Sequence, residues 1–184
     1  MKKLVAYQGL PGAFGHEACL TFLPAYQPVA RRSFADVVEA VREGEVPLGI
    51  LPYRNSTAGM VEQVEQLLGQ GSVTIAERHW LAIRLHLFGR SGSRIDAVHT
   101  IVSHPMALAQ CPANLAALGK TVLPAANTAA AAQALAEGDD EGIAVLASEA
   151  AGQLYGLSIL KRDMQDRSDN QTEFVIIAPG GSAQ

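Results

Sequence analysis

The sequence predicts an α/β protein whose mostly parallel sheets are flanked by helices. Short apolar segments alternate with amphipathic ones along the whole chain, and the amphipathic ones are bounded by capping residues and glycines. This alternation is typical of βαβ units, which require parallel strands. Of the 184 residues, 48% are hydrophobic and 17% charged, a composition that can bury a sizeable core.

The first half of the chain alternates strands with helices. Ser33 followed three residues later by Asp36 forms a capping box, which predicts a helix start. The predicted elements are strand Leu4–Tyr7, the glycine-rich loop Gln8–Gly15, helix Glu17–Leu23, strand Gln27–Arg31, a helix from Ser33 to Gly44, strand Pro47–Leu51, the polar loop Pro52–Gly59 and a helix from Met60 to Leu68.

The second half continues the same alternation of strands and helices. Val73–Leu87 alternates loosely and predicts either one long strand or two consecutive strands. The elements predicted after it are strand Ala97–Val102, helix Met106–Leu118, strand Thr121–Leu123, helix Thr128–Ala136, strand Gly142–Leu146, helix Ser148–Tyr155 with Gly156 at its C′ position, and the closing strands Leu157–Leu160 and Glu173–Ala178.

The pattern predicts two lobes. The chain is expected to cross between them within Gly71–Leu87 and to return within Leu157–Lys161, so that residues 1–77 and 159–184 form the first lobe and residues 78–158 the second, inserted one. In open α/β sheets, ligands bind beyond the carboxyl ends of strands, near helix N-termini that favour anions. The loops expected there are Gln8–Gly15, Pro52–Gly59, Ser103–Met106 and Ala126–Thr128.

Charge and motif content exclude several classes of function. The net charge is −4 without a Lys/Arg run, which argues against nucleic-acid binding. No segment is typical of a signal peptide or a membrane span, so a cytoplasmic protein without a membrane partner is expected. Cys19 and Cys111 are expected to be buried, reduced thiols. No metal-ligand spacing, Walker A or dinucleotide fingerprint is present, and neither a metal nor a bound nucleotide is expected.

Short motifs follow one another in register across essentially the whole chain. They are YQGLPGAF from Tyr7, PYRNS from Pro52, SHPMALAQC from Ser103, NTA from Asn127, ASEAAGQLYGLSIL from Ala147 and TEF from Thr172. In this order they resemble the catalytic domain of the prephenate dehydratase family, whose patterns include Y-x-G-P-x-G-T-F, P-x-E-N-S, S-H-P-Q-A-L-A-Q-C, S-T-A-x-A-A and T-R-F.

The resemblance implies two α/β lobes like those of a periplasmic binding protein, with a cleft between them. It implies a homodimer that converts prephenate to phenylpyruvate in phenylalanine biosynthesis, with loss of water and carbon dioxide and without metal or cofactor. Such an enzyme holds a diacid, helps its hydroxyl to depart and desolvates the departing carboxylate. Neutral donors at helix N-termini suit this task.

The resemblance also assigns site residues. Thr172 is the expected catalytic residue, which hydrogen-bonds the leaving hydroxyl, although threonine is also common in strands. The expected substrate-binding residues are Arg54, Asn55, Ser56, Ser103, His104, Asn127, Thr128 and Glu173. Asn-Ser is also ordinary turn chemistry, and Ser103, Asn127 and Thr128 also suit helix caps. A histidine beside a helix-start proline, as at His104, is more often structural.

The chain departs from the family pattern at several positions. Ala13 and Gly15 replace a threonine and a serine, and Met106 replaces a glutamine. Arg54 stands where the family has glutamate, and Glu173 stands where it has arginine. This reciprocal exchange predicts that the two side chains lie within about 10 Å of each other and preserve an ion pair with reversed polarity. The alternative is that both positions are exposed and the exchange is coincidental.

These departures leave other functions open. A non-aromatising prephenate decarboxylase fits the altered loops, whereas the retained Thr172 argues against it. A catalytically inactive module that binds small acids is a third interpretation. Arogenate, the amino-acid counterpart of prephenate, remains open as substrate. The resemblance stops at the catalytic domain, so the family's regulatory ACT domain is expected to be absent.

Overall fold

The chain folds into two compact units, which the computed structural model describes over residues 2–181. Unit 1 comprises the described residues up to Leu10, Phe14–Ala82 and the residues from Gln171 onward, and unit 2 comprises Pro11–Ala13 and Ile83–Asn170. The chain therefore changes unit after Ala82 and after Asn170, rather than at 78 and 159 as predicted. The difference arises because the strand Ser158–Lys161 pairs within unit 2, with His86–Gly89.

Unit 1 contains one sheet and three of the helices. Its elements are β1 (Lys3–Gln8), α1 (Phe14–Phe22), β2 (Tyr26–Arg31), α2 (Phe34–Arg42), β3 (Leu48–Asn55), β4 (Gly59–Met60), α3 (Glu62–Gly69) and β5 (Val73–Ala82), to which the last strand of the chain, Gln171–Pro179, is added. The strand order is β2-β1-β3-(Gln171–Pro179)-β5, with β4 paired to β3. The returning strand is antiparallel to both of its neighbours.

The core of unit 1 lies between this sheet and helices α2 and α3. The predicted capping box opens α2: the Ser33 side chain accepts a hydrogen bond from the Asp36 N–H, and the Asp36 side chain accepts one from the Ser33 N–H. Val37 and Val41 of α2 are fully buried against the sheet. A Cβ atom at Gly49 of β3 would lie 2.8 Å from Val37 Cγ1, so only glycine permits this close approach of α2.

Unit 2 contains the second sheet. Its elements are β6 (His86–Gly89), β7 (Thr100–Ser103), α4 (Pro105–Leu108), α5 (Pro112–Leu118), β8 (Thr121–Pro124), α6 (Thr128–Glu137), β9 (Ile143–Ala147), α7 (Glu149–Leu154) and β10 (Ser158–Lys161), and the strand that returns to unit 1 is β11. The order is β10-β6-β9-β7-β8. Helices α6 and α7 pack their alanines on a core that includes Phe88 and Val145.

The α/β class is confirmed, but both sheets are mixed rather than mostly parallel. In unit 1, β11 runs antiparallel to β3 and β5, and in unit 2, β6 runs antiparallel to β9 and β10. The parallel pairs are β1–β2, β1–β3, β7–β8 and β7–β9. Alternation of strands and helices along a sequence does not reveal the direction of a strand that arrives from another unit.

Several predicted boundaries also differ from the structure. β3 continues to Asn55, so half of the predicted loop Pro52–Gly59 is strand. The helix predicted over Met106–Leu118 is two helices, because Pro112 lacks the N–H that an uninterrupted helix requires. Val73–Leu87 forms two strands. Cys19 and Cys111 are buried free thiols, as predicted, and burial raises the pKa of each to about 12.

Candidate active site

The PYRNS motif forms the end of β3 and the turn after it, with Asn55 at its centre. Asn55 Oδ1 accepts the N–H groups of Thr57 and Ala58, both at 2.8 Å, which closes the turn from β3 to β4. These two bonds fix the orientation of the amide and direct its Nδ2 towards β11. Nδ2 donates to the Gln171 carbonyl at 3.2 Å and to Thr172 Oγ1 at 3.0 Å.

Thr172 is buried at the beginning of β11, directly across the ladder from Asn55. Its oxygen accepts the Asn55 Nδ2 hydrogen, and the Thr172 hydroxyl keeps its own hydrogen as a donor. A buried hydroxyl held in this way is a preorganised donor. The geometry therefore suits the role expected of Thr172, and it favours an orienting role for Asn55.

Ser56 extends the same ladder by one pair. Its N–H donates to the Gln171 carbonyl at 2.9 Å, and its Oγ accepts the Gln171 N–H at 3.0 Å. Asn55 and Ser56 thus clamp the first two residues of β11. The predicted residues Asn55, Ser56 and Thr172 are brought together by the pairing of β3 with β11.

Arg54 and Glu173 form an ion pair, as the reciprocal exchange predicts. Arg54 Nη2 lies 3.5 Å from Glu173 Oε2, and the Glu173 side chain is 8% exposed. A second arginine completes the group: Arg78 Nη1 on β5 lies 3.4 Å from Glu173 Oε1. The Arg54 guanidinium lies over the Trp80 ring at 5.1 Å and that of Arg78 over the Tyr53 ring at 4.7 Å. We call these five residues the Glu173 cluster.

The Glu173 cluster and Thr172 lie on opposite faces of the sheet of unit 1. Consecutive side chains of a strand point to opposite faces, and cross-strand partners share a face. Glu173 pairs with Arg54 on one side and Trp80 on the other, whereas Thr172 pairs with Asn55 and Leu81. This arrangement favours a structural role for Arg54 and Glu173, and substrate binding by them stays a prediction.

Ser103 and His104 lie at the end of β7 and the start of α4 in unit 2. Ser103 is fully buried, and its Oγ donates to the Leu146 carbonyl at 2.8 Å, which favours a structural role. His104 caps α4 through Nδ1, which accepts the Met106 N–H at 3.1 Å. A neutral His104 ring therefore carries its proton on Nε2, where it is a potential donor to an acidic ligand.

Asn127 and Thr128 form the start of α6. Asn127 is the N-cap, and its Oδ1 accepts the Ala130 N–H at 2.6 Å. The Asn127 carbonyl accepts the Ala131 N–H, so the first turn of the helix is closed. Asn127 therefore has the capping role that the sequence left open beside substrate binding, and Thr128 is the first residue of the helix. The predicted site residues fall into two groups, one in each unit.

The segment Pro11–Ala13 belongs to unit 2 because three contacts attach it to α7. Ser148 Oγ donates to the Gly12 carbonyl at 2.9 Å, and Tyr155 Oη donates to the Pro11 carbonyl at 3.0 Å. Gly12 has a φ of +91°, and a Cβ atom there would lie 2.9 Å from Ala151 Cα. The sequence motifs indicate no function for Ser148 or Tyr155, although Ser148 carries a visible N-cap signal.

Arg78, Tyr53 and Trp80 were also missed. An arginine on an edge strand is common, and Arg78 is distinguished by its contact with Glu173, which lies diagonally across the ladder because Val175 is the residue directly opposite. Among residues 2–181, no three or more His, Cys, Asp or Glu side chains converge in a way that would hold a metal ion. None of the helices within this range is long and apolar enough to span a bilayer. A groove of about 480 Å³ beside α6 is lined by none of the predicted site residues.

Comparison with known sequences identifies the family. The sequence model of the family described as prephenate dehydratase matches residues 5–181. The chain belongs to the prephenate dehydratase family. The match includes every predicted site residue, and the resemblance drawn from the motifs is confirmed.

Several curated relatives share more than a third of their aligned residues with this member of the family. Arogenate dehydratase 2 of Petunia hybrida is 37% identical over 95% of the chain, and the chain covers 44% of its length. The chloroplastic arogenate dehydratase/prephenate dehydratase 2 of Arabidopsis thaliana is 36% identical over 95%, with 46% of its length covered. The bifunctional N-acyl-homoserine lactone acylase/prephenate dehydratase of Komagataeibacter europaeus is 34% identical over 95%, with 62% covered. The chain thus spans between 44% and 62% of the length of these relatives.

Solved structures share the fold. A quorum-quenching acylase superposes with a TM-score of 0.86 at 32% identity, over 96% of this chain and 64% of that one. A prephenate dehydratase from Arthrobacter aurescens, solved in complex with L-Phe, gives a TM-score of 0.89 at 24% identity, over 97% and 61%. The fold predicted from the motifs is therefore that of solved prephenate dehydratases.

Proposed function

We propose that the chain catalyses the conversion of prephenate to phenylpyruvate in phenylalanine biosynthesis, which makes it a carbon-oxygen lyase. The observation that carries the proposal is the buried Thr172 hydroxyl, which accepts a hydrogen bond from Asn55 Nδ2 at 3.0 Å within a member of the dehydratase family. Because Asn55 occupies an acceptor position of Oγ1, the Thr172 hydrogen is available to the hydroxyl that leaves the substrate.

The reaction needs a donor and a desolvated carboxylate rather than a covalent intermediate. The electron pair of the breaking C–C bond enters the ring as carbon dioxide departs. The pair of the breaking C–O bond leaves with the hydroxyl oxygen, which takes a proton and departs as water. Charge develops on that oxygen in the transition state, so a donor held in place beforehand lowers the barrier. Thr172 supplies this hydrogen bond.

Arogenate is the second candidate substrate. Both plant relatives described above carry arogenate dehydratase in their names, at 37% and 36% identity. The two acids share the ring on which the reaction takes place and differ in a side-chain amino or keto group, so Thr172 would act in the same way on both. The ratio of kcat/KM for prephenate and arogenate, measured on one preparation, decides between them.

Thr172 provides the decisive test. We expect Thr172→Ala to lower kcat by about a hundredfold, because a donor used only in the transition state is worth roughly 3 kcal/mol, and Thr172→Ser to retain most of the rate. Thr74→Ala, an exposed strand threonine of the same unit, is the matched control and should leave kcat unchanged. Phenylpyruvate formation is measured by absorbance and mass.

The alternatives give different results in the same experiment. A non-aromatic product would favour a decarboxylase, and no turnover with a rise in Tm on adding prephenate would favour a binding module. The acylase named in one relative justifies a parallel incubation with an N-acyl-homoserine lactone, in which release of a fatty acid would indicate amide hydrolysis. The expected homodimer and cytoplasmic location remain proposals, which sedimentation velocity and localisation of a tagged chain test.

A further inference from the structure

The alignment of Asn55 with Thr172 depends on a β-bulge in β3. Ahead of the bulge, Val175 pairs with Leu51 and Phe174 with Pro52. If this register continued, Glu173 would face Tyr53 and Thr172 would face Arg54. The register instead shifts by one residue, so Glu173 faces Arg54 and Thr172 faces Asn55. Bulges of this kind re-aim the side chains that follow them.

The extra residue of the bulge is Tyr53, which is held in place by other members of the Glu173 cluster. Arg78 covers the Tyr53 ring at 4.7 Å while its Nη1 contacts Glu173 Oε1 at 3.4 Å. Arg54, the residue after Tyr53, contacts Glu173 Oε2 at 3.5 Å. The two carboxylate oxygens therefore face two arginines, one from each neighbouring strand. These contacts connect β3, β11 and β5 at the level of the bulge.

The charges of the Glu173 cluster favour the bulged register of β3 over one shifted by a residue. Glu173 is 8% exposed, and a nearly buried carboxylate is costly unless cations and donors surround it. Arg54 and Arg78 are 50% and 46% exposed, so each keeps one side in water and rests the other on an aromatic ring. Moving β3 back by one residue would carry Arg54 to the opposite face of the sheet and separate it from Glu173.

We propose that the Glu173 cluster is a positioning device that fixes the bulge and thereby aligns Asn55 with Thr172, and that Arg78 is a positioning residue for the reaction. This inference rests on the proposed function. Arg78 lies on the face of the sheet opposite the Thr172 hydroxyl and acts through its contacts with Tyr53 and Glu173. The reversed charges at Arg54 and Glu173 are thereby explained as one structural unit with Arg78.

Kinetics give the first test. In Arg78→Ala and in the conservative variant Glu173→Gln, kcat should fall about tenfold while KM changes little, because a small displacement of a donor affects mainly the transition state. Arg42→Ala is the matched control, since Arg42 is ion-paired and 48% exposed in the same unit. It should leave kcat unchanged. A rise in KM alone, with kcat preserved, would overturn the proposal.

A double-mutant cycle separates positioning from general support of the fold. If Arg78 acts through Thr172, then Arg78→Ala should have no further effect on kcat in a Thr172→Ala background. The same fold-loss in both backgrounds would refute the coupling. Arg78→Lys keeps the charge but loses the flat contact with Tyr53, so its kcat should lie between those of the wild type and Arg78→Ala.

Nuclear magnetic resonance gives a readout that needs no activity. The Asn55 side-chain amide resonances should shift, and their protons should exchange faster with solvent, in Arg78→Ala and Glu173→Gln but not in Arg42→Ala. Unchanged Asn55 resonances would overturn the proposal whatever the kinetics. If the resonances move but the wild type converts neither prephenate nor arogenate, the proposed function fails while positioning of the Asn55–Thr172 pair is supported.

Discussion

At the scale of single residues, His86 is a buried titratable group whose protonation affects stability. It is 2% exposed at the start of β6, and its Nδ1 accepts the Asp163 N–H at 2.9 Å. Burial lowers its pKa below the ordinary value, although the nearby carboxylates of Asp163 and Glu149 raise it and the arginines Arg162 and Arg84 lower it further. The folded protein therefore favours the neutral ring, whose Nδ1 remains an acceptor.

The lowered pKa of His86 predicts a loss of stability in mild acid. In the unfolded chain His86 takes up a proton as the pH falls through about 6.5, whereas the folded chain resists protonation until a lower pH. The free energy of unfolding should thus decrease from about pH 6.5 downward. We expect His86→Asn, which offers an oxygen in place of Nδ1, to show a smaller fall in Tm between pH 7 and pH 5.

The exposed His99 provides the control for this effect. His99→Asn is the matched substitution, because the His99 side chain is exposed and its loss removes no buried acceptor. Thermal unfolding of the three proteins at pH 7, 6 and 5 makes the comparison. Equal slopes for the wild type and His86→Asn would show that the acid sensitivity comes from other groups.

One contact of the Glu173 cluster was predictable from the sequence, whereas the others were not. The opposite departures at Arg54 and Glu173 predicted an ion pair, and the pair is confirmed. Arg78 was not predicted, since its partner lies 95 positions away in the sequence and nothing near it signals a contact. The hydrogen bond between Asn55 and Thr172 was likewise not predicted, because it depends on a bulge that the motif does not display.

At the scale of elements, α5 depends on a cap supplied from a distant part of the sequence. Its N-cap residue, Cys111, offers no side-chain hydrogen bond. Asp166 replaces it: Oδ2 accepts the Ala113 N–H at 2.8 Å and Oδ1 the Asn114 N–H at 3.1 Å. Burial would raise the pKa of Asp166, but these N–H groups hold it below its ordinary value.

Removing this cap should therefore destabilise the protein. We expect Asp166→Ala to lower the free energy of unfolding by about 1 kcal/mol, the typical value of a helix cap, which corresponds to a Tm decrease of about 2–4 °C for a chain of this size. Asp166→Asn should lose less, because it keeps one acceptor oxygen. Asp96→Ala, at an exposed position of the same unit, should have little effect, and a Tm loss equal to that of Asp166→Ala would contradict the capping role.

The helices also show which local signals are reliable. The Ser33–Asp36 box predicted the start of α2, and Gly156 has the positive φ expected after α7. These signals are reliable because both partners lie within one turn of chain. The break before Pro112 was not predicted, since apolar spacing continued through it and the cap that stabilises α5 comes from Asp166.

At the scale of the whole molecule, each unit has its own buried central strand. β11 lies between β3 and β5, and its Val175, Ile176 and Ile177 are at most 1% exposed. β9 lies between β6 and β7 and is equally buried at Ala144, Val145 and Leu146. The edge strand β8 is exposed at every residue. Strand existence was predictable from apolar runs, whereas neighbours and directions depend on pairings between distant segments.

Hydrogen exchange should reflect this architecture. We expect the slowest amides to lie in β11 and in β9, and those of β8 to exchange at least about a thousandfold faster, because opening an edge strand costs a small part of the total free energy of unfolding. Exchange followed by mass spectrometry on peptides from each strand measures the difference. Slow amides confined to one sheet, or concentrated in β8, would contradict the conclusion that each unit has its own buried central strand.

The last pair of the ladder between β5 and β11 joins Ala82 to Gln171, and all of unit 2 except Pro11–Ala13 lies between these two partners in the chain. Topologically, unit 2 occupies the place of the loop in a β-hairpin. A single insertion of a coding segment at the β5–β11 hairpin suffices to produce this connectivity, since the chain leaves unit 1 at Ala82 and returns at its ladder partner Gln171. Unit 2 can therefore lengthen, shorten or diverge over evolutionary time while the strand order of unit 1 stays the same.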